Sequence, residues 1–114
     1  MLFRSDFNWE KETKSKLKAW QFTGSLYGAV APGKKALRPL GEWNTLEVIF
    51  HGSRIVTSLN GKVLYDVDTA ELDVKPPFAE RAKTGFIGLQ RHAPGGAIEG
   101  EAYAWFRNLF IREL

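Results

Sequence analysis

Hydrophobic and polar residues alternate most regularly in the middle of the chain, where Leu46, Val48 and Phe50 are interleaved with Glu47, Ile49 and His51. A period of two is the signature of a β-strand with one face toward a core. Gly52-Ser53 then turns the chain, residues 54–59 and 62–66 form two further apolar-rich runs, and Asn60-Gly61 joins them. Asn-Gly is the strongest short hairpin signal, because a two-residue type I′ turn needs positive φ at both central positions. The pattern therefore predicts antiparallel strands joined by tight turns.

The same reading extends outward with less regularity. Residues 6–22 place Trp9, Leu17 and Trp20 among dense charges and predict a loop with one helical turn. Residues 23–30, Thr-Gly-Ser-Leu-Tyr-Gly-Ala-Val, predict a short strand whose glycines let another backbone or a ligand approach closely. Ala31-Pro32-Gly33 breaks it, and residues 34–40 are a surface loop. Residues 67–82 carry Pro76-Pro77, which no central strand tolerates, and predict a crossover loop. Residues 85–90 read as a compact apolar strand and 91–100 as a glycine-rich loop. The last run, residues 104–114, alternates imperfectly, and an inserted residue near Arg107-Asn108, a β-bulge, brings Phe106, Leu109 and Ile111 onto one face. With no ordinary helix after Phe22, the expected architecture is all-β, an antiparallel sandwich or jelly roll.

Composition narrows the class further. At 114 residues the chain is at most one domain, and 44% hydrophobic residues suffice for an ordinary core. The net charge is +3, but Lys11, Lys14, Lys16 and Lys18 are interleaved with Glu10 and Glu12. Mixed signs of this kind make a solvated face, not the basic stripe a nucleic acid needs. The absence of cysteine removes disulfides and thiolate metal sites. No run approaches the roughly 20 apolar residues of a membrane span, and no signal-peptide core is present. The opening Leu2-Phe3-Arg4-Ser5 matches the translated end of a common sequencing adapter, so residues 1–5 are expected to be an artefact, with native sequence from Asp6 onward.

Taken together, Gly24-Ser25-Leu26-Tyr27-Gly28, Pro39-Leu40-Gly41-Glu42-Trp43-Asn44, Leu59-Asn60-Gly61, Gly85-Phe86-Ile87-Gly88-Leu89-Gln90 with His92, and Phe106-Arg107-Asn108-Leu109 closing with Ile111 and Leu114 resemble the 3-keto-disaccharide hydrolase family in order and spacing. That resemblance spans residues 23–114 and implies a concanavalin A-like jelly roll, incomplete at its N-terminus. A further block of strands with acidic and amide residues ordinarily precedes the tyrosine-glycine strand, and here only residues 6–22 stand in that place. Missing strands would leave open edges and an uncovered apolar face. The resemblance also implies a periplasmic or extracellular location and a sugar or glycoside as partner.

Candidate chemistry follows from the residues themselves. His92 lies just past an apolar strand, where an imidazole titrating near neutrality serves as a general base or metal ligand, or is simply an exposed loop histidine. Gln90, two residues earlier, projects to the same side of a strand. Trp43 offers a face for a pyranose or packs at the start of its strand, with Glu42 and Asn44 on the opposite side. Tyr27 presents a hydroxyl to a cleft or is a core tyrosine, and Arg107 with Asn108 is either re-aimed by a bulge into the site or satisfies backbone groups. His51, without a partner at ligand spacing, belongs to the surface.

A glycosidase ordinarily uses two carboxylates about 5 to 9 Å apart. Glu42, Glu47, Asp66, Asp68 and Glu71 suggest no such pair. The resemblance implies a different substrate, a 3-keto sugar, whose ketone acidifies the C2 proton, so that cleavage by elimination followed by hydration needs only a base and an enolate stabiliser. His92 and Gln90 are the expected catalytic residues, and Trp43, Tyr27, Asn44 and Arg107 the expected substrate contacts. A divalent cation is compatible with this chemistry. Two rival readings share the fold, a non-catalytic carbohydrate-binding module of laminin G-like type and a purely structural sandwich, and fold alone does not choose among them.

Overall fold

The computed structural model describes residues 16–89 and 105–114. Its centre is an antiparallel three-stranded sheet of β1 (Leu46–His51), β2 (Arg54–Leu59) and β3 (Lys62–Asp68), in the order β1-β2-β3. Among the described residues there is no α-helix, only 3-10 turns at Ala19–Gln21, Thr69–Glu71 and Phe78–Glu80. The architecture is all-β and antiparallel, as the alternation predicts. No helix among these residues is long and apolar enough to cross a membrane.

The hairpin forms where Asn60-Gly61 requires it. Asn60 has φ 52° and Gly61 φ 75°, the left-handed pair that matches the strand twist. Leu59 faces Lys62 and Ser58 faces Val63, but Thr57 faces Tyr65, so Leu64 is an extra residue on β3. This β-bulge leaves the Leu64 carbonyl outside the β2 ladder, where it accepts the Gly33 N–H at 2.8 Å. Gly24, at φ 85°, lies so close that a Cβ on it would overlap the Leu64 side chain. The loop that precedes the sheet therefore docks on one bulged residue.

Among the described residues the apolar core is Ile55, Leu59 and Leu64, with Thr57 buried among the strands. Ile55, Thr57 and Leu59 alternate along β2, so one face of the central strand is sealed. Beside it, Arg54 donates from Nε and Nη2 to the two carboxylate oxygens of Asp66, at 2.7 and 2.6 Å. That bidentate bond holds the Asp66 carboxyl below its ordinary range. Asp68 is lowered as well, first by the hydrogen bond it accepts from the Ala70 N–H, which caps the following 3-10 turn, and then by Ser53.

Several sequence expectations change here. Residues 23–30 do not form a strand: Leu26 and Val30 exchange both backbone hydrogen bonds, at 3.0 and 2.9 Å, and close a tight loop over Tyr27. Gly28, at φ 78°, is what bends it. The alternation predicts that β1 turns one face to a core, yet all six of its residues are exposed, because as the outer strand it carries no second layer among the described residues. Residues 85–89 have no strand pairing and are exposed. Residues 106–114 likewise form no ladder, and Asn108, at φ 53°, is a left-handed kink in an unpaired run instead of a bulge between paired halves. β3 runs two residues further than expected, to Asp68, before the loop that contains Pro76-Pro77.

Candidate functional site

Two clusters of the sequence-predicted residues lie within the described structure, and each is positioned by turns. The first gathers at the start of β1. Asn44 is buried, with 3% of its surface exposed, and its Oδ1 accepts from the Arg38 N–H at 2.9 Å and from Asn60 Nδ2 at 2.8 Å. Its Nδ2 donates to the Glu42 carbonyl at 3.2 Å. Asn60 in turn donates from Nδ2 to the Ala36 carbonyl at 2.7 Å and accepts the Thr45 N–H on Oδ1 at 2.9 Å. The amide of Asn44 is thus committed to pinning the loop of residues 36–45 against the hairpin turn, a structural duty its spacing from Trp43 does not announce.

Trp43 and Arg107, separated in sequence by the whole sheet, meet. The Arg107 guanidinium lies 4.0 Å from the centre of the Trp43 ring, a cation–π stack that covers one face of the indole. A pyranose placed on Trp43 would use the opposite face or displace the guanidinium. The stack also ties the C-terminal run to the entrance of β1.

The second cluster surrounds Tyr27. The ring is 69% exposed, so Tyr27 is not a core residue. Trp20 stands edge-on to it, with ring centres 5.0 Å apart at 82°, and the Tyr27 hydroxyl accepts from Gln21 Nε2 at 3.2 Å. Lys18 Nζ sits 5.5 Å from the centre of the Trp20 ring. The 3-10 turn of residues 19–21 delivers Trp20 and Gln21 to the same place, and Ser25 Oγ fixes that turn by donating to the Trp20 carbonyl at 2.7 Å. From the sequence Trp20 is only a candidate helix-face residue. The signal for its real role is the glycine turn that folds Tyr27 back over it.

Gln90 and His92 lie outside the described residues. An open groove of about 640 Å³ elsewhere is lined mainly by apolar groups, among them Phe50, Ile55, Phe78 and Ala82, and contains none of the predicted site residues. Lys83 at its rim is held by the Phe78 carbonyl at 3.3 Å. Among the described residues no three His, Asp or Glu side chains come together as a metal cluster.

The described residues thus form an antiparallel all-β sheet whose flanking loops display aromatic rings beside amide and guanidinium groups. Comparison with known families gives the assignment: the chain belongs to the 3-keto-alpha-glucoside-1,2-lyase-like domain family, whose model matches residues 6–112. No curated protein and no solved structure matches the chain significantly.

Proposed function

We propose that this chain acts on 3-keto-glucosides within a concanavalin A-like jelly-roll sandwich, breaking the glycosidic bond by elimination instead of direct displacement. The observation that carries this reading is the family match across residues 6–112. The ketone at C3 lets a base remove the C2 proton. The resulting enolate re-forms the carbonyl as the C1–O bond breaks, the aglycone leaves with a proton as an alcohol, and a C1–C2 enone remains. Addition of water across that double bond gives the 3-keto sugar, so the net result is hydrolysis. His92 is the proposed base and Gln90 the proposed amide partner of the sugar oxygens, while Trp43, Tyr27 and Arg107 are proposed sugar contacts. Such a role for Asn44 would require it to leave its buried hydrogen bonds. The resemblance to the family also underlies a periplasmic or extracellular location.

The test is to incubate the full chain with an aryl 3-keto-α-glucoside and with the unoxidised glucoside, following aglycone release and enone absorbance. Cleavage confined to the keto form, lost in His92→Ala, is expected. Equal cleavage of both sugars would overturn elimination, and full activity of the variant would remove His92 from the chemistry.

A second reading, a non-catalytic sugar-binding module, is favoured by one feature, the exposed Tyr27 ring buttressed by Trp20 and Gln21. It predicts calorimetric binding of plain glucosides that are recovered intact, and loss of that binding in Tyr27→Ala.

A further inference from the structure

Asn60-Gly61 is the one place in the chain where an asparagine precedes a glycine; Asn8, Asn44 and Asn108 precede Trp9, Thr45 and Leu109. An asparagine–glycine bond carries a chemistry of its own. The glycine's backbone nitrogen can attack the carbonyl carbon of the asparagine side chain, and glycine has no Cβ to obstruct the approach. At the tip of the β2–β3 hairpin this nucleophile is open to water. Gly61 is exposed, a Cβ built on it meets nothing within 4 Å, and its N–H donates to no group among the described residues.

The electrophile, by contrast, is held. Asn60 Nδ2 donates to the Ala36 carbonyl at 2.7 Å and to Asn44 Oδ1 at 2.8 Å, while Oδ1 accepts the Thr45 N–H at 2.9 Å. The backbone adds a second restraint. Ring closure needs the Gly61 nitrogen on the Cβ side of the Asn60 Cα–C bond. With φ 52° at Asn60 and 75° at Gly61 the turn is of type I′, whose first central residue has ψ of about +30°, and that leaves the nitrogen nearly opposite Cβ.

We propose that Asn60 is a site of spontaneous deamidation, guarded in the native fold by its hydrogen bond to Asn44. When the hairpin tip opens locally, the Gly61 nitrogen gives up its proton and bonds to Asn60 Cγ, the Cγ–Nδ2 bond breaks, and ammonia leaves with the proton, so that a succinimide remains. Water then opens the ring. Cleavage of the bond between the nitrogen and Cγ gives aspartate, and cleavage of the bond between the nitrogen and the backbone carbonyl carbon gives isoaspartate, whose main chain is longer by a carbon. Neither product restores the donor to Ala36 and Asn44. An opening that reacts is therefore irreversible, and it unfastens the loop of residues 36–45 that carries Trp43.

The full chain is incubated folded in mildly alkaline buffer and unfolded in concentrated urea at the same pH, and peptide mapping by mass spectrometry follows exchange of amide for acid at each asparagine, with isoaspartate assayed in the same peptides. In urea Asn60 is expected to react well ahead of Asn8, Asn44 and Asn108. In the folded chain its rate is expected to fall about tenfold or more, since several hydrogen bonds must open together. Asn44→Ala, checked for folding by far-UV circular dichroism, should deamidate at Asn60 about fivefold faster than the folded wild type, the worth of one net hydrogen bond. An unfolded chain in which Asn60 reacts no faster than the other asparagines overturns the site. Equal rates at Asn60 in the folded and unfolded wild type overturn the guard, whether or not the variant folds, and a folded Asn44→Ala that keeps the wild-type rate removes Asn44 from it.

Discussion

Asn60 Nδ2 stands 2.8 Å from Asn44 Oδ1, so the residue that makes the β2–β3 turn also fastens the loop leading into β1. The two amides form a node through which the Ala36 carbonyl and the Arg38 and Thr45 N–H groups are all satisfied. Asn60→Asp keeps the turn conformation and the acceptor for Thr45, but it loses the donor and sets a carboxylate against two oxygens. Unfolding by urea should show a loss of about 1–3 kcal/mol. Asn60→Gly, which keeps the turn and drops every side-chain bond, separates the turn's contribution from the node's.

Gly24 and Gly28 both have positive φ, yet only Gly24 faces an obstacle. Gly28→Ala should cost the left-handed strain alone, about 1–2 kcal/mol. Gly24→Ala adds overlap with Leu64 and should cost about 1–3 kcal/mol more. Parallel thermal denaturation of the two variants reads the difference directly.

Thr57 is 1% exposed, and its Oγ1 has no hydrogen-bond partner among the described residues. A buried hydroxyl without a partner opposes folding. Thr57→Val keeps the shape and removes the hydroxyl, and should raise stability by about 1 kcal/mol in the same urea assay. A loss of stability would mean that the hydroxyl is paired.

Asp66 and Asp68 both titrate below the ordinary value of 3.8 in the folded chain. A lowered carboxyl contributes stability that is complete above its unfolded value and is lost as pH falls through the folded one. The acid limb of the stability profile should therefore lie below about pH 4, and Asp66→Asn should flatten part of it. Salt should weaken the same contribution, since Arg54 and Asp66 are both solvent-accessible.

The sheet is legible in the sequence because its signals are local. The period of two and the Asn60-Gly61 turn need no knowledge of distant residues, and β1, β2 and the hairpin lie where these place them. Residues 23–30 mislead because Leu26 and Val30 have strand character, while the decisive fact is the left-handed turn between them. Asn44 resembles a sugar ligand because an exposed amide beside a tryptophan suits that chemistry, and only the tertiary approach of Asn60 withdraws it. The Trp43–Arg107 stack joins residues far apart in the chain, which no spacing rule reaches. Residues 85–89 and 106–114 have the apolar content of strands, and apolar content alone does not supply a pairing partner.

The bulge at Leu64 makes the length of β3 part of its information content. Removing one residue between Gly61 and Tyr65 would yield a hairpin with uninterrupted pairing, by local rules a better one. That tidier hairpin would have no spare carbonyl for Gly33 and no side chain projecting against Gly24. Natural variation in this stretch is therefore expected to exchange residues and keep their number, since what the misalignment encodes is the attachment of a loop some thirty residues upstream.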